Sequence, residues 1–277
     1  MKNKQKANIA IECLSHTLEY RAVANISGLG INQVKTIEKR FREDAYRAFT
    51  PAMLDLAVSA LAGPDAGLSV VQVGANDGVS GDPVNKLIHR YAAKALLIEP
   101  TPQLIDKLKM SYGNYDGELI IENAAIGTES GYFRLNMLDP SYWDEYIDKV
   151  GRHPTAISSN YQGPLVKKIS TRLDVGQEEA QSRVTQIECP QYTLSTLFEK
   201  HALSRVDLLQ VDCEGYDFEV ITSLGEYRPR LINFESFNLD NKDWNHWKNW
   251  AKNNGYGWVQ GRQDTLAILS ANFASEF

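Results

Sequence analysis

Apolar residues in this chain follow two rhythms. Over residues 5 to 62 they recur at three- and four-residue intervals, as in Ile11, Leu14 and Leu18 and again in Val34, Ile37 and Phe41, which predicts helices. Thr50 before Pro51 reads as an N-cap with proline at the first helical position, opening a helix to about Leu61. The GPDAG stretch at 63–67 ends this arm. From residue 68 the rhythm changes. LSVVQVGANDG, ALLIEP (95–100), ELIIENAAIG (118–127), VDLLQVDCEG (206–215) and RLINFES (230–236) are mostly apolar runs, which suit strands buried on both faces. Helical segments stand between them. One follows Asp82-Pro83 through Leu87, Ile88 and Tyr91, and one follows Thr101-Pro102 through Leu104, Ile105 and Leu108. Others cover about 194–200, the stretch of Phe218, Val220, Ile221 and Leu224, and a tryptophan-rich 242–253. The end reads as a hairpin, YGWVQ and TLAILS about a turn at Gly261. Strands alternating with helices need crossover connections, and those build a parallel sheet.

One stretch breaks the alternation. Residues 137 to about 183 hold Asp139-Pro140, Tyr142-Trp143, Gly151, His153-Pro154, Ser158-Ser159-Asn160 and Gly163-Pro164, with a strand resuming near Val184–Cys189. A long irregular stretch inside a compact domain suits a lid or binding loop. The organisation expected is therefore a helical N-terminal extension at 1–66 and a main domain at 67–277 with a lid-like insertion at about 137–183. Covering a sheet edge, or a homo-oligomer contact, is the role expected of the N-terminal helices.

Composition narrows the setting. The chain has 277 residues, 43% hydrophobic and 23% charged, enough apolar material for a core. Its net charge of −6 argues against a protein that grips nucleic acid by neutralising phosphates. Cys13, Cys189 and Cys213 are too few and too scattered for a disulfide framework or a thiolate zinc site, which suits a reducing compartment. No export signal is evident in the opening residues, and no run approaches the roughly 20 apolar residues of a membrane span, the segment Met53–Ala62 being interrupted by Asp55 and Ser59, so no span is expected. The expected location is the cytoplasm.

The chemistry gathers at strand ends. Gly74-Ala75-Asn76-Asp77-Gly78 forms the first strand-to-helix turn, where glycine lets the backbone turn sharply and admits a ligand. A dinucleotide fingerprint needs G-x-G-x-x-G, but Asn76 and Val79 occupy the second and third glycine positions, and no GK[ST] follows for a P-loop. Glu99 ends the next strand, where an acidic side chain can accept both hydroxyls of a ribose. A nucleoside held without a pyrophosphate points to S-adenosylmethionine. Asn123-Ala124-Ala125-Ile126-Gly127 is placed to line an adenine pocket. Asp212-Cys213-Glu214-Gly215 puts two carboxylates at the mouth of the same crevice, and Asn233-Phe234-Glu235-Ser236 ends the next strand.

Taken in order, VVQVGANDG, LLIEP, ENAAIG, TLSTLFEKH with VDLLQVDCEGYDFEVI, and LINFES resemble the FkbM family of S-adenosylmethionine-dependent methyltransferases over about 68–270. The resemblance implies an α/β fold of class I methyltransferase (Rossmann-like) type. That is a mostly parallel seven-stranded sheet with helices on both faces, here with the helical arm added. It also implies methylation of hydroxyl groups on sugars, glycans or polyketide-like natural products. Gly74, Asn76 and Gly78 match the family's cofactor loop, Glu99 its ribose grip, and Asp212 and Glu214 its acidic pair. Gln210 and Cys213 depart from it, standing where a lysine and a small aliphatic residue are expected.

Methyl transfer to an alcohol needs alignment and benefits from a positioned base. The candidates are Asp212, Glu214 and His246 on the tryptophan-rich helix. Cofactor contacts are expected from Gly74, Ala75, Asn76, Asp77, Gly78, Glu99, Asn123, Ala124 and Asp212. Acceptor contacts are expected from Tyr142, Trp143 and His153, whereas Trp244, Trp247 and Trp250 recur at helical spacing and read as core. Asp212, Glu214 and Glu235 offer oxygen ligands suited to Mg²⁺ or Ca²⁺, but no residue is assigned to a metal. Two other classes compete. A nicotinamide-dependent oxidoreductase is disfavoured by Asn76 and Val79, and a non-catalytic nucleoside-binding or assembly module leaves the acidic pair unexplained.

Overall fold

The computed structural model describes residues 31–62, 67–159, 161–237 and 239–270. The helical pattern of residues 5–30, with most of the oligomer contact expected of it, lies outside the described residues. Two compact units divide the chain, Met1–Met53 and Leu54–Phe277. The first described element, α1 (Ile31–Ala62), corrects the sequence reading: the helix does not begin at Pro51 but contains it. A proline inside a helix removes one backbone hydrogen bond and crowds the preceding turn, at a cost of about 3 kcal/mol, yet here the helix runs on across it.

The main unit continues with β1 (Leu68–Val73), α2 (Asn85–Tyr91), β2 (Ala92–Ile98), α3 (Pro102–Ser111), β3 (Glu118–Glu122), β4 (Ala125–Ile126) and β5 (Gly131–Leu138). A 3-10 turn at Pro140–Tyr142 leads into α4 (Trp143–Val150), and another at Pro154–Ile157 precedes α5 (Gln162–Leu173) and α6 (Gln177–Ser182). Then come β6 (Val184–Tyr192), α7 (Leu194–Lys200), β7 (Leu208–Val211), α8 (Asp217–Thr222), β8 (Leu231–Glu235), α9 (Asn241–Asn253), β9 (Tyr256–Gln260) and β10 (Asp264–Leu269).

Seven strands form the main sheet in the order β3-β2-β1-β7-β8-β10-β9. Every pairing from β3 to β8 is parallel, and β10 alone runs against its neighbours. This is the mostly parallel seven-stranded class I arrangement. One face buries Val71, Val73, Leu96, Ile98, Leu209, Val211, Ile232 and Phe234 against Leu197 and Phe198 of α7, Val220 and Ile221 of α8, and Trp247 and Ala251 of α9. Trp247 is thus core, as its spacing implies, stacked on Trp250 with 5.6 Å between ring centroids.

Because strand side chains alternate, the other face carries a polar row. Gln72, Gln210 and Asn233 are in register across β1, β7 and β8. Asn233 Nδ2 donates to Gln210 Oε1 at 2.7 Å, and Gln72 Nε2 donates to Asp82 Oδ2 at 3.0 Å. Two residues further along the same strands stand Gly74, Asp212 and Glu235, with Asp264 of β10 opposite Glu235. Register alone therefore gathers carboxylates at the strand ends.

Residues 137–183, read as an irregular stretch, hold the end of β5 and the helices α4, α5 and α6, and strands lie on either side of them. β4, β6 and β5 form a second, three-stranded sheet, β4 parallel and β5 antiparallel to β6. Its own core unites Met137 and Leu138 with Trp143 and Tyr146 of α4, Leu165, Val166, Ile169 and Leu173 of α5, and Ala180 of α6. The single strand expected over 118–127 is accordingly two, β3 in the main sheet and β4 in the small one. Asn123 and Ala124 make the switch between them.

Candidate active site

Strand order reverses around β1, which has β2 on one side and β7 on the other. In open α/β sheets such a switch point leaves a crevice beyond the carboxyl ends of the strands. Here it is a cleft of about 1140 Å³, lined by the turn after β1, by Glu99, by Ala124 to Ile126, by Asp212 to Tyr216 and by parts of the insertion.

The first turn is built from backbone strain. Gly74 has φ +79° and Asn76 has φ +51°. A Cβ on Gly74 would stand 2.0 Å from the carbonyl oxygen of Asp212, so the glycine first allows two strand ends to meet. That corrects the reason for it: protein backbone, before any ligand, excludes a side chain here. Gly78, at φ +72°, does not line the cleft; a Cβ there would meet Ser111 Oγ at 2.3 Å and Leu108 Cδ1 at 2.9 Å of α3. Asp77 also turns away, its carboxylate accepting from the backbone N–H groups of Val79 and Ser80 and from the Ser80 hydroxyl. Ala75 and Asn76 do line the cleft.

Glu99 is buried at the end of β2. Its Oε2 accepts from the Asn76 N–H at 2.9 Å and its Oε1 from the Thr101 N–H at 2.8 Å. Burial pushes its pKa up, opposed by a hydrogen bond from the Thr101 side chain and by the two backbone N–H groups. The carboxylate keeps acceptor capacity, and the residue faces the cleft. Asn123 serves from behind: its Nδ2 donates to the Glu99 carbonyl at 2.8 Å, and it does not line the cleft, whereas Ala124 does.

Asp212 and Glu214 both line the cleft. Glu214 holds φ +52° and Gly215 φ +103°, so the turn after β7 places a non-glycine residue in the left-handed region. Asp217, fully buried and not found by sequence reading, holds this turn by accepting from the N–H groups of Cys213 at 3.3 Å and Gly215 at 3.1 Å. Its signal was present: an aspartate at the start of a helix, two residues past a glycine. Desolvation by the cleft walls raises the Asp212 pKa. The same effect, with repulsion from Asp212 and Glu235, lifts Glu214 to about 7. Burial and Asp212 likewise lift Asp217 to about 8 and Asp264 to about 6. Among the described residues no group of three His, Cys, Asp or Glu side chains is arranged to hold a metal ion.

The remaining expected residues separate. His153 lines the cleft together with Arg152, Thr155, Ser158 and Tyr161, a group that sequence reading reached only through His153. Tyr142 and Trp143 do not line it. Trp143 is buried in the insertion core with its indole N–H donated to the Leu138 carbonyl at 2.8 Å, and Tyr142 lies under the Arg183 guanidinium, 4.5 Å from its centroid. Their apolar area is used for packing, which a Tyr-Trp pair in a sequence cannot reveal. His246 is exposed on α9 and lies outside the cleft lining.

A family model described as the Methyltransferase FkbM domain matches residues 72–257, about two thirds of the chain. A methyltransferase FkbM from Methylobacillus flagellatus KT is similar at 12% identity and TM-score 0.43, over 73% of this chain and 43% of that one. This chain thus spans less than half the length of that protein. A ribosomal protein L11 methylase from Lactobacillus delbrueckii subsp. bulgaricus is similar at 11% identity and TM-score 0.39, over 80% and 77% of the two chains. TrmK of M. capricolum, solved with S-adenosyl-homocysteine, is similar at 6% identity and TM-score 0.36, over 78% and 66%. No curated protein matches. The extent of the family match makes this chain a member of the FkbM methyltransferase family.

Proposed function

We propose that the chain is an S-adenosylmethionine-dependent O-methyltransferase of the cytoplasm, acting on a hydroxyl of a sugar, glycan or natural product. The catalytic domain in this reading is residues 67–277. The observation that carries it is Glu99: a buried carboxylate facing the cleft, held by the backbone N–H groups of Asn76 and Thr101 and by the Thr101 side chain, with acceptor capacity left over. That suits a pair of ribose hydroxyls. Gly74, Ala75 and Asn76 would hold the amino-acid end nearby, with Ala124 beneath the base. When bound, the cofactor supplies an electrophilic methyl group on a sulfonium.

The chain's own residues then orient the acceptor and take its proton. Asp212 and Glu214 stand where the cleft opens, and the raised pKa of Glu214, about 7, suits a base that must hold a proton transiently near neutrality. Glu214 is the stronger candidate on this ground, with Asp212 as orienting neighbour; His246, outside the cleft lining, is not retained as a base. The test is incubation with S-adenosylmethionine and a panel of hydroxylated acceptors, sugars first, followed by mass spectrometry. A gain of one methyl group on a hydroxyl supports the reading. Methylation only of nitrogen or carbon would overturn its O-specific part.

A further inference from the structure

With Tyr142 and Trp143 used for packing, the phenyl and phenol rings that line the cleft are those of Phe133, Tyr161 and Tyr216. The two tyrosines come from different walls. Tyr161 belongs to the insertion, where it is the N-cap residue of α5. Its backbone is anchored: the Tyr161 N–H donates to Ser159 Oγ at 3.1 Å. Ser159 in turn exchanges backbone hydrogen bonds of 2.9 and 3.0 Å with Asn136 of β5. The Tyr161 side chain is nevertheless 69% exposed, and its hydroxyl has no hydrogen bond among the described residues. An exposed tyrosine is ordinary on a convex surface. On a fixed backbone inside a cleft it is contact surface for a ligand.

Tyr216 belongs to the sheet wall. It follows Glu214 by two residues, caps the start of α8 and packs, half-buried, against the main core. Burial raises its pKa and Glu219 adds to the rise, while a hydrogen bond with the Thr128 side chain opposes it. The Tyr161 hydroxyl and Glu129 add smaller upward pushes, so the two phenols are close neighbours although they stand on separate elements. Each has a polar companion that also lines the cleft, Ser159 beside Tyr161 and Glu219 beside Tyr216. Two aromatic side chains edged by a hydroxyl and a carboxylate suit a pyranose. Such a ring offers C–H groups on its face, and its hydroxyls can donate to a carboxylate and accept from a serine. An acyclic polyol has the hydroxyls without the face, and an arene has the face without the hydroxyl rim.

We propose that Tyr161 and Tyr216 are the specificity-determining residues for the acceptor, holding a sugar in its pyranose form with the ring against the tyrosines and one hydroxyl toward Glu214. This names the acceptor class of the proposed function and rests on that reading. Tyr161 contributes apolar surface, and its hydroxyl is dispensable. Tyr216 contributes the second surface and fixes the distance to Glu214 through the short turn they share. Neither takes the acceptor's proton.

The experiment uses the full chain saturated with S-adenosylhomocysteine and reads saturation-transfer NMR from added probes. These are the methyl glycopyranosides of glucose, galactose and mannose, with sorbitol and 4-hydroxybenzyl alcohol as the acyclic and aromatic comparators. At least one glycoside should be saturated, most strongly at its ring C–H protons, and sorbitol should not. Tyr161→Ala should weaken that glycoside about ten-fold, as expected for loss of one aromatic surface, and Tyr161→Phe should leave it within about two-fold. Calorimetry should show the affinity for S-adenosylhomocysteine unchanged in both variants. Saturation of no glycoside, of sorbitol as strongly as the glycosides, or of the aromatic probe alone would overturn the proposal. So would a Tyr161→Ala protein that binds the glycoside as the wild type does, or that loses S-adenosylhomocysteine instead. Failure of the wild type to bind S-adenosylhomocysteine would count against the proposed function. The glycoside measurements on the protein alone then decide the role of the tyrosines separately.

Discussion

The two walls of the cleft are made differently. The sheet wall depends on backbone conformation: Gly74, Asn76, Glu214 and Gly215 all sit at positive φ, and their turns bring N–H groups and carboxylates to the strand ends. The insertion wall depends on volume. Trp143, Tyr146, Leu165, Ile169 and Leu173 fill a separate core, and the segment of His153, Thr155 and Ser158 is presented to the cleft from it. A wall made of turns fixes atoms to within a hydrogen bond and tolerates no added side chain. A wall made of packed side chains can be resized while the sheet stays as it is. The former suits a constant ligand and the latter a variable one.

The largest effect should come from forcing a side chain into the sheet wall. Gly74→Val meets the Asp212 carbonyl at 2.0 Å and must also adopt φ +79°, so a loss of at least about 3 kcal/mol is expected. Thermal unfolding should show a large fall in Tm, with binding of S-adenosylhomocysteine lost as well. A variant folding as the wild type does would mean the strand ends are not held as described. Next is Ile169→Ala, which empties space in the insertion core and should cost roughly 2–5 kcal/mol. Protease digestion should cut the insertion first, while affinity for S-adenosylhomocysteine stays within a few-fold of wild type. Equal loss of cofactor affinity would dissolve the distinction between the walls.

Most of the sheet wall was legible in the sequence because its signals are local. Buried parallel strands read as apolar runs, and a glycine turn or a carboxylate directly after such a run is placed by the strand itself. That is why Gly74, Glu99, Asp212 and Glu214 could be named, although the packing reason for Gly74 could not. The insertion was misread as irregular because proline, glycine and aromatics drew attention away from its periods. Leu165, Val166, Ile169 and Leu173 follow a helical repeat in α5, and just before the stretch Phe133, Leu135 and Met137 alternate with Tyr132, Arg134 and Asn136 in β5, which leads into it. Both were readable. The Thr155 contact with Asn76, across 79 positions, was not, because nothing local records a tertiary hydrogen bond.

A smaller effect is expected from pH. Glu214 takes up a proton in the folded protein up to about pH 7, above the usual carboxylate range. As a base it must be ionised, so the methylation rate should rise as pH passes through about 7. Glu214→Gln should lower the rate and flatten that limb of the profile, with little change in cofactor affinity. The sign for stability is opposite. The folded state binds this proton more tightly than the unfolded chain, so the stability gained from it is present at low pH and lost as pH rises toward 7. A rate that fell across the same range would remove Glu214 as the base.

The central claim is that the sheet wall grips a nucleoside through Glu99, and calorimetry of S-adenosylhomocysteine binding tests it most directly. Glu99→Gln keeps the size of the side chain but replaces one acceptor oxygen with a donor, opposing a backbone N–H and weakening the grip on two hydroxyls. The account predicts saturable binding to the wild type, no comparable binding of NAD, and affinity roughly 10- to 100-fold weaker in Glu99→Gln with an unchanged circular dichroism spectrum. Equal affinity in the two proteins, or NAD binding as tightly as S-adenosylhomocysteine, would contradict it.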